Sequence, residues 1–307
     1  MTKEDWQSLQ TAFEQFENVK NLDISGLTKI TEMPENALKE VKWLKELTAN
    51  NLVRVASDAL AGLEKLVTVE MNNVTTFSNG AFSGAEKLQN IALPKAEVFG
   101  AGAFKDNDSL VNLSLPSAVR FGTDAFLNDK NLFKLSLPKV ETIGSYAFYG
   151  TEHLETLDVP ELKTIGSYSF TNDAGIKELN APKLEELGQQ SFTVKTMDKL
   201  IIPSVLTIDK DSFSAIERIK ELSIGGTTLD SLSIFPDVVD LTLDGIIELP
   251  DAKTTESSLT QMKSLTSLTM NQLVSAGDNT LSHRNLRTVN LPKLQKIGNN
   301  VLLTLAG

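Results

Sequence analysis

The chain has 307 residues, of which 41% are hydrophobic and 6% are aromatic, so it can bury a large core that must be mainly aliphatic. A net charge of −11 repels phosphate backbones and anionic membrane surfaces, which argues against nucleic acid as a partner. Because the chain has no cysteine, it cannot form disulfides, thiolate metal sites or a cysteine nucleophile.

The N-terminal segment, residues 1–18, is predicted to form a capping helix. Four apolar residues recur there at helical spacing: Trp6, Leu9, Phe13 and Phe16. Thr2 and Asp5 resemble a helix-capping arrangement, and we interpret Trp6 as a plug over the core that follows. The segment lacks the basic-then-apolar order of a signal peptide, and no stretch of the chain approaches the roughly 18 apolar residues of a membrane helix.

A repeat of 22 residues follows this segment and is visible in several columns of residues. One apolar column steps through the chain at this interval: Leu44, Leu66, Leu88, Leu110, Leu132, Leu154 and Ile176. Five successive units share a proline: Pro94, Pro116, Pro138, Pro160 and Pro182. Six units share a phenylalanine: Phe82, Phe104, Phe126, Phe148, Phe170 and Phe192. The unit reads L-x-x-L-x-L-P-x-Φ-x-x-Φ-G-x-x-A-F, where Φ is an apolar residue.

Each part of this unit has a structural interpretation. The L-x-L segment alternates with period two, as a short half-buried strand does, and proline ends the strand because it has no N–H for the ladder. The glycine permits a positive φ or a close backbone approach, while the alanine and phenylalanine place a small residue and a large plug on the outer arc. The strands of successive units, paired side by side, would make one parallel sheet.

Residues 19–307 are predicted to form one continuous solenoid of about 13 repeats. A lone unit cannot fold, because ordering its residues costs about 1.5 kcal/mol each, while half a dozen buried side chains return only roughly 1.5–3 kcal/mol apiece. The motif blurs between residues 219 and 262, and we interpret residues 251–258 as a tolerated surface insertion or a contact loop. The apolar segment 301–305 predicts that the chain continues or that this end packs against another copy.

Successive units in residues 88–196 repeat two signatures, as in Leu135-Ser136-Leu137-Pro138 and Ile143-Gly144-Ser145-Tyr146-Ala147-Phe148. This pattern resembles the BspA-like class of leucine-rich repeats found in bacterial surface proteins. The resemblance implies an α/β fold, namely a right-handed leucine-rich-repeat solenoid with one parallel β-sheet on the concave face and short turns or 3-10 segments on the convex face. It also implies export to the cell surface and binding to host or matrix proteins or to other cells. The chain departs from the family in showing no export signal or anchor.

No constellation of residues predicts catalysis, and we expect a protein without enzyme activity, cofactor or metal. We interpret His153 and His283 as surface-turn residues, too many units apart to share an ion. The segment Gly100-Ala101-Gly102 lacks the third glycine of a dinucleotide loop and fits the repeat itself. Asp106-Asn107-Asp108 and Asp209-Lys210-Asp211 lack the glycine and the distant glutamate of a calcium-binding loop.

The candidate binding residues are those that flank the buried leucine of each strand and point away from the core. Nine of them form the predicted site: Asn90, Asn112, Ser114, Lys134, Ser136, Thr156, Asp158, Glu178 and Asn180. Their mostly small side chains let a partner approach the sheet closely, but the set lacks the Trp, Tyr and Arg of a strong protein hot spot. A merely solvated face is the alternative. Phe133 is either an aromatic residue at the rim of this face or packed under the next turn.

The leading hypothesis for function is a non-catalytic adhesion or recognition module that binds a protein through the concave sheet face and the adjoining turns. A structural spacer that presents another domain is one alternative. A glycan-binding accessory protein is the other, which the scarcity of aromatic residues disfavours. We expect an extracellular or cell-surface location, with the cytoplasm as the alternative, and no insertion of this segment into a membrane.

Overall fold

A computed structural model describes residues 3–15, 19–171, 175–206, 211–213, 215–226, 235–251 and 259–301. Helix α1 spans Lys3–Glu14, within the predicted capping segment, whose residues 1–2 and 16–18 lie outside the described residues. Trp6 is buried in the core and donates its indole N–H to the carbonyl oxygen of Glu32 at 3.2 Å. The interpretation of Trp6 as a plug is therefore confirmed, whereas Thr2 and Phe16 lie outside the described residues.

The L-x-L segments form a first strand line along the solenoid. Its strands, in chain order, are β1 (Asn21–Asp23), β3 (Glu46–Thr48), β5 (Thr68–Glu70), β7 (Asn90–Ala92), β9 (Asn112–Ser114), β11 (Lys134–Ser136), β13 (Thr156–Asp158), β15 (Glu178–Asn180), β17 (Thr196–Ile202), β18 (Arg218–Ile224), β19 (Asp237–Leu243), β21 (Ser267–Met270) and β23 (Thr288–Asn290). Each paired neighbour is parallel and comes from the adjacent unit, and the register follows the 22-residue repeat, as in Glu46 opposite Thr68.

The segments that end in Φ-G form a second strand line, which the sequence did not predict. Its strands are β2 (Glu32–Met33), β4 (Arg54–Val55), β6 (Thr76–Phe77), β8 (Val98–Phe99), β10 (Arg120–Phe121), β12 (Thr142–Ile143), β14 (Thr164–Ile165), β16 (Glu186–Leu187), β20 (Glu248–Leu249), β22 (Ser275–Ala276) and β24 (Lys296–Ile297). Two residues per unit are too few to show a period-two pattern, so these strands are visible only once the coils are stacked. Two lines of parallel strands joined by turns confirm the predicted leucine-rich-repeat solenoid.

The core is a continuous column of side chains between the two strand lines and the outer arc. The six repeat phenylalanines are at most 1% exposed, and their rings stack from coil to coil, from Phe82 to Phe192, with centroids 5.1–5.5 Å apart. A second stack joins Phe77, Phe99 and Phe121 at 5.3 and 4.8 Å. The interpretation of the repeat phenylalanines as plugs is confirmed.

The outer arc turns through residues of positive φ, and five coils have a second one four residues later, at Gly62, Gly84, Asp106, Asn128 and Gly150. Successive units place the first of these residues at the same position: Asn36, Asp58, Gly80, Gly102, Asp124, Tyr146, Tyr168 and Gln190. The Φ-G glycine stands two residues earlier and does not have a positive φ, but a Cβ on Gly166 would lie 2.2 Å from the backbone nitrogen of Ser145. Of the two roles offered for that glycine, close backbone approach is the one that the structure shows.

The later units keep the register although their lengths vary. β17, β18 and β19 are seven residues long, and Leu200, Leu222 and Leu241 lie opposite one another across them. The strands in this stretch therefore pair regularly although the sequence motif is weak. In the last described coil, the apolar side chains of Val289 and Ile297 are 38% and 59% exposed.

Candidate functional site

The nine predicted binding residues lie on the outward side of the first strand line. Eight of them are exposed, while Asn180 is half-buried and donates its amide to Asp158 Oδ1 at 2.8 Å. Leu113, Leu135 and Leu157, which alternate with these residues, are buried. The predicted placement is therefore observed, and a role of these side chains in binding stays a prediction.

The first strand line is interrupted between β7 and β9 and again between β11 and β13, whereas the second strand line is paired without interruption from β2 to β16. Where the strands are paired, backbone hydrogen bonds join adjacent coils just before and just after each strand. Between β9 and β11, the N–H groups of Phe133 and Lys134 donate to the carbonyl of Val111 at 2.8 and 3.1 Å, and the N–H of Leu115 donates to the carbonyl of Ser136 at 3.1 Å.

The corresponding backbone bonds are absent at the first interruption, all of whose residues are described. Val111 and Asn112 do not donate their backbone N–H groups to the carbonyl of Gln89, and Leu93 does not donate its N–H to the carbonyl of Ser114. Both edges of the gap consequently offer backbone donors and acceptors that no other backbone group uses.

A groove of about 1150 Å3 lies over this interruption, and we refer to it as the β7/β9 groove. Strands β5, β7, β9 and β11 supply its walls. Ile91 is only partly buried there, although Val69 and Leu113, at the same position in the adjacent units, are 1% and 3% exposed. The groove therefore exposes part of Ile91, a side chain that points toward the core.

An apolar rim adjoins the β7/β9 groove. Val111 is 44% exposed and Phe133 is 60% exposed, and both line a neighbouring hollow of about 380 Å3 that also includes His153. The interpretation of Phe133 as a rim aromatic residue is confirmed, and packing under the next turn is wrong.

Lys134 is the cation of the groove, and its side-chain ammonium forms no ion pair or hydrogen bond with another residue in the described part of the chain. Other lysines bridge to the adjacent coil, such as Lys163 to Glu141 at 3.0 Å. Such exposed pairs contribute only about 0–1 kcal/mol. On a chain of net charge −11, an unpaired ammonium in a groove is a distinctive feature.

A buried polar column at the end of the outer arc was missed by the sequence analysis. Asn107, Asp129 and Thr151 occupy the same position in three successive units and are at most 1% exposed. Asn107 N–H donates to Asp129 Oδ1 at 2.8 Å, while Asp129 Oδ2 has no hydrogen-bond partner. Burial, with smaller contributions from the charges of Asp106 and Asp108, raises the pKa of Asp129 well above its ordinary value. The 22-residue spacing of three polar residues was the signal available.

The two histidines occupy different environments. His153 is exposed and its Nδ1 lies 2.7 Å from the carbonyl oxygen of Lys130. His283 is only 5% exposed, accepts a hydrogen bond from the Asn285 amide at 3.3 Å, and has its pKa lowered by burial. The surface-turn interpretation is thus wrong for His283, because its side chain turns into the core instead of toward solvent.

Within the described ranges, no cluster of three or more His, Asp or Glu side chains could hold a metal ion. Asp209 and Lys210 of the second acidic run lie outside the described residues. No described helix is long and apolar enough to cross a membrane.

The three tyrosines of the chain form a surface cluster that the sequence analysis also missed, in which Tyr146 is exposed and Tyr149 and Tyr168 are half-buried. Tyr146 and Tyr168 stack with ring centroids 5.0 Å apart, and Tyr149 contacts Tyr146 at 6.1 Å. Each ring of the stack covers one face of the other, so the pair does not offer two open faces to a sugar. Their 22-residue spacing ahead of the Ala/Ser-Phe pair could have revealed the stack.

Stacked parallel coils with an exposed polar sheet face define a leucine-rich-repeat protein, a class whose members are generally non-catalytic binding modules. The chain belongs to the family with the BspA type leucine rich repeat region: that family model matches in six copies over residues 9–133, 119–233 and 246–304. No curated protein matches the chain.

Several solved structures are similar to this chain. A leucine-rich repeat protein from Bacteroides ovatus is 21% identical, with a TM-score of 0.52, over 88% of this chain and 78% of that one. A leucine rich cell surface protein from Faecalibacterium prausnitzii is 12% identical, with a TM-score of 0.38, over 78% and 83%. A leucine rich repeat protein from T. pallidum is 24% identical, with a TM-score of 0.38, over 57% and 68%. The first of these likenesses shows a shared fold.

Proposed function

We propose that this protein is a non-catalytic recognition module that binds a protein partner through the outward face of the first strand line and the adjoining turns. The observation that carries the proposal is the β7/β9 groove, where exposed Asn90, Asn112 and Lys134 lie beside the apolar rim of Val111 and Phe133. An apolar anchor beside polar groups that can accept or donate hydrogen bonds is the usual composition of a protein-binding surface.

We further propose that the protein works outside the cell or at the cell surface. The family supports this location, since BspA-type repeat proteins are typically surface-associated. A chain without cysteine suits either compartment, because a continuous core of stacked coils needs no disulfide for stability.

A triple substitution tests the proposed face. Asn112→Arg, Lys134→Glu and Thr156→Arg together put bulky charges on three exposed strand positions and leave the core unchanged. Against a panel of immobilised extracellular-matrix proteins measured by biolayer interferometry, we expect the wild-type chain to bind at least one protein and the variant to lose that binding, with a melting temperature within about 2 °C of wild type.

A matched triple on the second strand line provides the control. Val98→Arg, Arg120→Glu and Thr142→Arg make the same change in charge on neighbouring coils, and this variant should bind as wild type does. Binding that survives the first triple, or that both triples abolish equally, would contradict the assignment of the face. Absence of binding to every protein in the panel would favour the structural spacer.

A further inference from the structure

The edges of the β7/β9 groove are complementary to another backbone. On the β7 side the carbonyl of Gln89 and the amide of Leu93 lack their inter-coil partners, and on the β9 side the amides of Val111 and Asn112 and the carbonyl of Ser114 lack theirs. Donors and acceptors that follow one another along a strand edge are what an added strand pairs with.

Most of these edge residues are accessible from solvent as well as unpaired. Gln89, Val111, Asn112 and Ser114 line a groove of about 1150 Å3, whereas Leu93 is 2% exposed and does not line it. The partial exposure of Ile91 shows that the opening passes between the strands. The second strand line stays paired through the same coils, from β8 to β12, so the frame around the gap is continuous. Because the backbone is bonded between these coils both before and after the gap, as at Ser109 to Glu86, the edges are already ordered and binding has less to order.

The side chains around the gap indicate what such a strand would carry. Val111 and Phe133 present exposed apolar surface at one end of the groove, and Lys134 offers an unpaired ammonium beside them. Alternate side chains of a bound strand face the same side, so an apolar residue and an acidic residue two positions apart would meet the rim and the lysine together.

On these observations, and resting on the function proposed above, we infer that the β7/β9 groove binds an extended polypeptide segment of the partner by strand addition. The segment pairs its main chain with the open edges of β7 and β9 and places an apolar and an acidic side chain against the rim and Lys134. A glycan fits less well, because Phe133 is the only Phe, Tyr or Trp among the residues that line the groove and its neighbouring hollow.

Selection from a random library tests this inference. The whole chain is immobilised, a phage-displayed library of linear 12-residue peptides is selected on it, and enriched peptides are synthesised for fluorescence anisotropy. We expect peptides with alternating apolar and acidic positions. Replacing single peptide amides by N-methyl amides removes one main-chain donor at a time, and at two or more positions this should weaken binding at least about tenfold. This readout uses the unmodified protein, so it does not depend on the folding of any variant.

A charge-matched pair of variants locates the binding. Val111→Asp with Lys134→Glu should weaken peptide binding at least about tenfold, whereas Val98→Asp with Arg120→Glu, which replaces an exposed valine and an exposed cation on the second strand line, should change it less than about twofold. Circular dichroism checks that both fold. Equal binding by the two variants would overturn the inference, as would insensitivity to N-methylation at every position.

The inference can fail while the proposed function stands. If no peptide is enriched, but an intact matrix protein binds wild type and not the triple variant of the strand face, strand addition is wrong and recognition by that face is retained. If a glycan array gives binding that depends on Val111 and Lys134 while no peptide or protein binds, both proposals are overturned.

Discussion

Two positions in each coil restrict the backbone in different ways. The Φ-G glycine has an ordinary φ and is required because the next coil lies against it, as at Gly166. Two residues later the chain takes a positive φ, and there the sequence accepts Gly102 in one unit and Asp124, Tyr146 or Gln190 in others. A left-handed residue other than glycine costs roughly 1–2 kcal/mol, so several coils carry strain that their packing must offset.

Substitution of two glycines by alanine separates these restrictions. Gly102→Ala should lower the free energy of unfolding by about 1–2 kcal/mol, because its φ is +61° while the added Cβ would make only ordinary contacts, the nearest at 3.7 Å. Gly166→Ala should cost about 3 kcal/mol, because the Cβ meets rigid backbone at 2.2 Å. Urea unfolding followed by circular dichroism compares the two, and a larger loss at Gly102 would contradict this assignment.

Asp129 should make stability depend on pH. Its folded pKa is raised above the ordinary value of 3.8, so between those two values the folded state holds more protons than the unfolded state and stability falls as pH rises. Asp129→Asn removes the titration, and its amide can donate to the carbonyl of residue 126 as Asn107 donates to Phe104. The variant should gain about 1–3 kcal/mol over wild type at pH 8 and little at pH 4.

Chemical denaturation at both pH values measures this difference. The comparison with wild type cancels the remaining carboxylates, whose ionisation is common to both proteins. A variant that is less stable than wild type at pH 8, or a difference that does not change with pH, would show that the buried carboxyl is not neutralised in the folded protein.

At the scale of the element, each coil contributes strands that are too short to be stable alone. β9 and β11 have three residues each and β10 has two, so their stability comes from the coils on either side. The phenylalanine stacks run across these junctions and join one coil to the next.

Two phenylalanines of neighbouring coils test this view of the core. Phe148→Ala should cost about 3–5 kcal/mol, because the ring is fully buried between Phe126 and Phe170 and its removal leaves a cavity. Phe133→Ala should change stability by less than about 0.5 kcal/mol, because that ring is 60% exposed. Thermal unfolding of both variants gives the comparison, and similar losses would contradict the assignment of Phe148 to the core.

The repeat made most of the fold predictable, because an apolar side chain that recurs every 22 residues must face a shared interior. The residues that recur at the positions of Leu113 and Phe148 could therefore be assigned to the core, and the strand residues that alternate with the Leu113 position could be assigned to the outward face. The gap between β7 and β9 could not be predicted in this way, since Ile91 keeps the pattern and the separation of two coils depends on the packing of all their neighbours. Asp129 was missed because the 22-residue spacing of Asn107, Asp129 and Thr151 shows that they share a position but not that the position is buried. His283 was misread because a single polar residue in a turn segment does not show from sequence whether it is buried.

At the scale of the whole molecule, the stability of each coil depends mainly on the coils immediately before and after it, because these are the coils that it contacts. A solenoid of this kind can tolerate an opening in one strand line while the other stays paired, which a globular sheet enclosed on both faces cannot do as readily. On this acidic chain, Lys134 places one positive charge at that opening, which Glu70 also lines. Under the proposed function, the partner binds at one of the two places where the first strand line is interrupted.

Residue-resolved hydrogen exchange tests this opening of the first strand line directly. Corrected for intrinsic rates, the amides of Leu93 and Val111 should exchange roughly 100-fold faster than those of Leu115 and Phe133, which occupy the same positions one unit later and are hydrogen-bonded. Equal protection of all four amides would show that the sheet is closed between β7 and β9, and would contradict the account.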